Sequence, residues 1–114
     1  MKLKALSRVA AAAALTLASL TVGTGTANAS VWWCGDGYCT TAAYDVGVYT
    51  RTDHEREYKY TLPAGETFRI TCYGNGDGGS IWYTGHRPGW ANGWVPGDAL
   101  TTGHDPNPNI GYCW

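Results

Sequence analysis

The stretch Leu62–Leu100 reads LPAGETFRITCYGNGDGGSIWYTGHRPGWANGWVPGDAL, and its order of turns and extended runs decides the fold. Pro63-Ala64-Gly65-Glu66 is a turn, because Pro pre-sets one backbone angle and Gly supplies a positive one. Thr67–Tyr73 then alternates. Phe68, Ile70 and Cys72 face one way, and Thr67, Arg69 and Thr71 face the other, the period of two that marks a half-buried strand. The face carrying Arg69 is expected in water. Gly74–Gly79 (GNGDGG) has no side chain suited to a core and reads as a loop. Ile81–Thr84 is a run of β-formers, and Gly85–Gly89 is a turn. Trp94-Val95 is extended, and Pro96–Leu100 reads as a single helical or 3-10 turn.

Working outward, Tyr44–Arg51 (YDVGVYTR) alternates Val46, Val48 and Thr50 with Asp45, Gly47 and Tyr49, again the pattern of a strand. Thr52–Glu57 (TDHERE) is a charged loop, and Tyr58–Leu62 resumes an extended pattern. Ser30–Thr41 holds Trp32, Trp33 and Tyr38, too many apolar groups for a free tail, so a stapled hairpin or loop packed on the rest is expected. Thr101–Asn109 is polar and Pro-rich and leads into Ile110-Gly111-Tyr112-Cys113-Trp114. After residue 29 no amphipathic helical period and no internal repeat is visible. The expectation is an all-β fold, a small β-barrel of about five strands.

The start of the chain is different. Lys2, Lys4 and Arg8 precede an Ala- and Leu-rich run over 9–22, which ends at Ala27-Asn28-Ala29 before Ser30. A positive start, an apolar middle and a small-residue site describe a secretory signal peptide over 1–29, cleaved after Ala29. The apolar run is too short, and too broken by Thr and Ser, for a spanning helix of about 20 residues. A secreted, extracellular protein is the expected outcome.

After Ala29 there remain 85 residues, 15 of them aromatic, with five basic and nine acidic side chains and a formal charge of −4. That length makes one domain, marginal without further support. Val, Leu and Ile are scarce, so aromatic side chains must fill much of the core. The acidic balance disfavours nucleic acid, which selects clustered Lys and Arg, and anionic membranes for the same reason. Cys34, Cys39, Cys72 and Cys113 form an even set in a small exported domain, which implies disulfides. Three connectivities are open. The Gly35-Asp36-Gly37 turn between Cys34 and Cys39 favours joining those two, and a bond between Cys72 and Cys113 would tie the tail to a core strand. Thiolate metal binding lacks a C-x-x-C pair.

The order GVYTR (47–51), LPAGETFRITC (62–72), SIWY (80–83) and GWVPGDAL (93–100) resembles a bacterial SH3-like domain, and the cysteines of the middle strand and tail are similar to those of small secreted actinobacterial members. The likeness covers about residues 44–113. It implies an SH3-like barrel with C-terminal tail over 44–114, preceded by a stapled segment over 30–43 that lies outside it. It also implies the Cys72–Cys113 bond and, as function, recognition of cell-wall peptidoglycan or a peptide. The family's Ser-Gly-Pro-Ser run after the Arg is replaced here by Thr52-Asp53-His54-Glu55.

Catalysis is poorly served. His54, His86 and His104 fall in a charged loop, a turn and the tail, and the serines after residue 29 are Ser30 and Ser80, neither in a nucleophile elbow. Glu55 and Glu57 could act as a carboxylate pair, but the chain leaves little room for a substrate cleft. Asp77 and Asn75 lack the spacing and terminal Glu of a calcium loop. The chain therefore reads as a non-enzyme without cofactor or metal. Trp and Tyr offer flat apolar faces with a polar edge, suited to sugars and peptides. Tyr58, Tyr60, Tyr83, Trp90 and Trp94 are the candidate exposed, ligand-binding residues. The alternative is a secreted inhibitor or toxin-like effector of an extracellular hydrolase, presenting the TDHERE loop or the GHRPGW turn with Arg87 or Trp90 as anchor.

Overall fold

The computed structural model describes residues 30–114. The signal peptide expected over 1–29 lies outside them. Seven strands appear among the described residues: β1 (Trp32–Trp33), β2 (Tyr38–Thr41), β3 (Val46–Tyr49), β4 (Tyr58–Leu62), β5 (Thr67–Asn75), β6 (Ile81–His86) and β7 (Gly93–Pro96). Two 3-10 turns, Asp77–Gly79 and Gly97–Ala99, are the helical pieces among them. All strands join one antiparallel sheet in the order β1-β2-β5-β6-β7-β3-β4.

This corrects two expectations. There are seven strands rather than about five, and the ladder does not close into a barrel, since β1 and β4 remain its borders. The additional strands come from the N-terminal segment. The Cys34–Cys39 disulfide (Cα–Cα 5.9 Å) closes the Gly35–Gly37 turn into a β1–β2 hairpin. The next residues, Tyr38–Thr41, pair with β5 from Ile70 to Thr67. Without this hairpin that side of β5 would expose unpaired backbone groups.

The sheet curls over one core. Val46, Val48, Tyr60, Leu62, Phe68, Ile70, Tyr83 and Val95 supply its inner face, with Ala99, Leu100 and Ile110 added from the C-terminal side. These are the inward residues of the period-two patterns in β3, β4, β5 and β7. Ala42 bridges Leu100, and Thr101 donates its N–H to the Thr41 carbonyl at 3.0 Å, so the 3-10 turn delivers the chain back to the N-terminal segment.

Arg69 does not face water as expected. Its Nη2 reaches the Asp36 carbonyl at 2.8 Å and the Asp36 carboxylate at 3.0 Å. A Cβ on Gly37 would fall 2.6 Å from the guanidinium, so that glycine lets Arg69 lie across the turn. Its Nε is buried with no partner among the described residues.

Candidate functional site

The alternation that builds the core also builds the outer face. Cross-strand register places Cys72, Thr84, Trp94, Tyr49 and Tyr58 in one row across β5, β6, β7, β3 and β4. The next row holds Gly74, Trp82 and Pro96. Directly opposed residues share a face of the sheet, so the outer surface is an aromatic band.

The C-terminal tail enlarges this band. β2 covers β5 only as far as Ile70, which leaves the far half of that edge open. The tail occupies it. Tyr73 donates its N–H to the Gly111 carbonyl at 3.0 Å, and Cys113 donates to the Tyr73 carbonyl at 2.9 Å. Cys72, expected on the face of Phe68 and Ile70, is turned outward by the register shift between Ile70 and Cys72, and it is bonded to Cys113 with Cα atoms 5.1 Å apart. The three constraints set Tyr112 beside Tyr73, with ring centroids at 5.2 Å, and bring Trp114 to Trp94. The two indoles are parallel to within 9° with centroids 6.3 Å apart, within the range of offset stacking. A Cβ on Gly74 would meet Trp114 at 2.8 Å and Trp94 at 3.0 Å, so only a residue without a side chain lets both rings settle over β5. Trp114 is 80% exposed.

The other half of the band is organised by Arg56. Its guanidinium carbon lies 5.2 Å from the Trp82 ring centroid and 5.4 Å from that of Tyr49, a cation–π arrangement. Tyr49 meets Tyr58 and Trp82 edge-on at 6.3 and 6.2 Å. Trp82 itself is buried, and its Nε1–H donates to the Ser80 hydroxyl at 3.1 Å. Beside it Trp82, Pro96, Asp98 and Asp105 line a cleft of about 240 Å3.

The loop bearing Arg56 is held by Asp53. The Asp53 carboxylate accepts from Arg51 Nη2 at 2.6 Å and from the Glu55 N–H at 3.1 Å, and its carbonyl accepts from Arg56. The hydrogen bond from Arg51 leads the causes that lower the Asp53 pKa from the ordinary carboxylate range. A carboxylate lowered in the fold contributes stability above its unfolded pKa of about 3.9 and loses it as pH falls through the folded value. In a pH titration followed by NMR, the Glu55 amide signal should therefore move with a midpoint below that reference. A midpoint at or above it would contradict the clamp.

The residues expected to bind ligand separate into three groups. Trp94 and Tyr58 lie in the outer band, and Tyr58 is 61% exposed. Trp90 is half exposed, but it belongs to another cluster at the β6–β7 turn, 4.9 Å from Tyr60 ring to ring and beneath Arg87 at 4.7 Å. Arg87 is in turn paired with Glu66 at 3.4 Å. Tyr60 and Tyr83 are corrections, because both are core residues. Tyr60 points inward from β4, and its hydroxyl donates to the Ala91 carbonyl at 2.6 Å. Tyr83 is fully buried: its hydroxyl donates to Asp105 and accepts from the Asn107 N–H, both at 2.8 Å. Burial, then the bond to Asp105, pushes the Tyr83 pKa well above its ordinary value.

Tyr49, Arg56, Tyr112 and Trp114 were not among the expected binding residues. A usable signal was present for Trp114, since it follows a cysteine bonded two positions from Gly74. His54 lies 3.9 Å from Asp77, and His104 Nδ1 is 3.1 Å from its neighbour's carbonyl, the Pro106 oxygen. Among the described residues no three His, Cys, Asp or Glu side chains are grouped to hold a metal. No described helix is long and apolar enough to cross a membrane. Comparison of the chain with protein-family models, with curated proteins and with solved structures finds no match.

Proposed function

We propose that this chain is an exported, SH3-like binding module that recognises cell-wall peptidoglycan, or a peptide, through the aromatic outer face of its sheet. The observation that carries the reading is the Trp94–Trp114 pair, held over Gly74 by the Cys72–Cys113 bond. A side chain as large and exposed as Trp114, fixed in place by a covalent bond and two backbone hydrogen bonds, fits a preorganised contact surface. Two disulfides suit an oxidising, extracellular setting. The SH3-like assignment is supported by the run of short antiparallel strands and by the 3-10 turn at Gly97–Ala99 after the Gly-Trp-Val strand.

The test is a pull-down on purified peptidoglycan. The wild-type chain should be retained. Trp94→Ala should weaken retention about tenfold, the loss of a central aromatic anchor. Trp90→Ala should leave it unchanged, because Trp90 packs with Tyr60 and Arg87 instead. A wild-type chain that passes through unbound would refute the proposal.

The inhibitor or effector reading draws on the Arg87–Trp90 turn, where a half-exposed indole and a guanidinium stand at a hairpin tip. It predicts that a secreted hydrolase loses activity on titration, and that Trp90→Ala abolishes the effect.

A further inference from the structure

We infer that the Trp94–Trp114 pair takes an uncharged sugar ring of the wall glycan, and that the wall peptide is not its ligand; the inference rests on the wall-binding reading above. Three observations favour a neutral, flat ligand. First, the two indoles are stacked, parallel to within 9°, so the pair offers a ligand one flat deck, the exposed face of Trp114.

Second, the side chains flanking the pair are uncharged: Tyr49, Gly74, Thr84 and Tyr112. Four of the five basic side chains among the described residues are held by other partners, Arg51 by Asp53, Lys59 by the Asn92 carbonyl, Arg69 by Asp36 and Arg87 by Glu66, and Arg56 lies over Tyr49 and Trp82 in the other half of the band. Among the described residues no guanidinium lies over either indole of the pair, so a peptide rich in carboxylates would gain no ion pair on their faces. A buried or half-buried unpaired charge is costly, so this surface selects against it.

Third, the deck has a polar edge. Tyr112 is half exposed and lies 5.7 Å from Trp114 ring to ring, which adds a phenol hydroxyl next to the apolar plane. A pyranose ring with equatorial substituents matches this pattern. Its axial C–H bonds form an apolar face that can lie on an indole, while its hydroxyl and acetamido groups project from the rim toward donors and water. Burying such a face on rigid aromatic rings costs little side-chain entropy.

The experiment titrates the oxidised full chain with the neutral tetramer of β-linked N-acetylglucosamine and, separately, with a synthetic wall stem peptide free of sugar. Binding is read by tryptophan fluorescence and by calorimetry, with wall pull-down run in parallel. The sugar should give a saturable change and the peptide none. Trp114→Ala should weaken sugar binding about tenfold, and Trp114→Phe should restore part of it by returning a flat ring. Trp114 is largely exposed, so both variants should keep the wild-type melting temperature, which separates lost binding from lost fold. If the wall is retained but the peptide binds and the sugar does not, or neither probe binds, the sugar assignment falls and wall recognition stands. If the wall itself is not retained, both fall.

Discussion

Replacing Cys72 and Cys113 together, Cys72→Ser with Cys113→Ser, should lower the unfolding free energy by about 4 kcal/mol, as the chain-entropy account gives for a loop of this length. The bond spans a sequence separation of 41, against 5 for Cys34–Cys39, whose loss should cost about 2 kcal/mol. Small domains are stable by roughly 5–15 kcal/mol, so the longer bond supplies a large share. The expected readout is a chemical-denaturation midpoint that falls sharply in the double-serine protein and modestly when Cys34 and Cys39 are replaced. The near-ultraviolet circular dichroism should change as well, because Trp114 leaves its parallel partner once Cys113 no longer holds the tail. Equal effects from the two pairs would contradict the loop-length argument. An unchanged aromatic signal would mean that the backbone bonds at Tyr73 suffice to place Trp114.

Gly85→Ala should be among the most damaging single substitutions in the chain. Gly85 pairs with Ile70 across β5 and β6, next to the point where the register shifts between Ile70 and Cys72. A Cβ there would lie 1.8 Å from the Arg69 carbonyl oxygen and 2.9 Å from its carbon. Both obstacles are backbone atoms, so no side-chain rotation relieves the overlap, and the two central strands must separate. The cost should approach about 3 kcal/mol, the upper end of ordinary overpacking. Gly111→Ala is the control, since a Cβ at that position meets nothing within 4 Å. A urea midpoint that drops for Gly85→Ala and holds for Gly111→Ala, with slopes unchanged, would confirm the close approach.

These two sites also show what could be read before any coordinates. Phe68 and Ile70 alternate cleanly with Arg69, and Val46 and Val48 with Gly47, so the core-forming strands were legible from period alone. The paired cysteines were legible as well, the first from the turn it encloses and the second from a resemblance. β2 was not. Cys39 and Thr40 are adjacent, lie on opposite faces and are both buried, so no alternation of polar and apolar residues marks the strand. The same difficulty hid the state of the aromatics. Trp82 and Tyr83 point to opposite sides of β6 and are both buried, one under Arg56 and the other in the core. No pattern distinguishes them in a run of β-formers. Trp94 was legible as a candidate, but its partner stands 20 positions away and arrives only through a bond between the tail and β5. Contacts of that kind belong to topology, which local sequence does not encode.

The two borders of the sheet bear on what happens when many copies gather on one surface. β1 spans two residues, too short a template for a neighbouring backbone, and β4 carries Lys59 as the second of its five residues on the opposite border. Brevity and charge at exposed borders are how β-proteins avoid strand-to-strand growth. Molecules crowded side by side on a shared polymer should therefore remain individual and exchangeable, and not zip into fibrils.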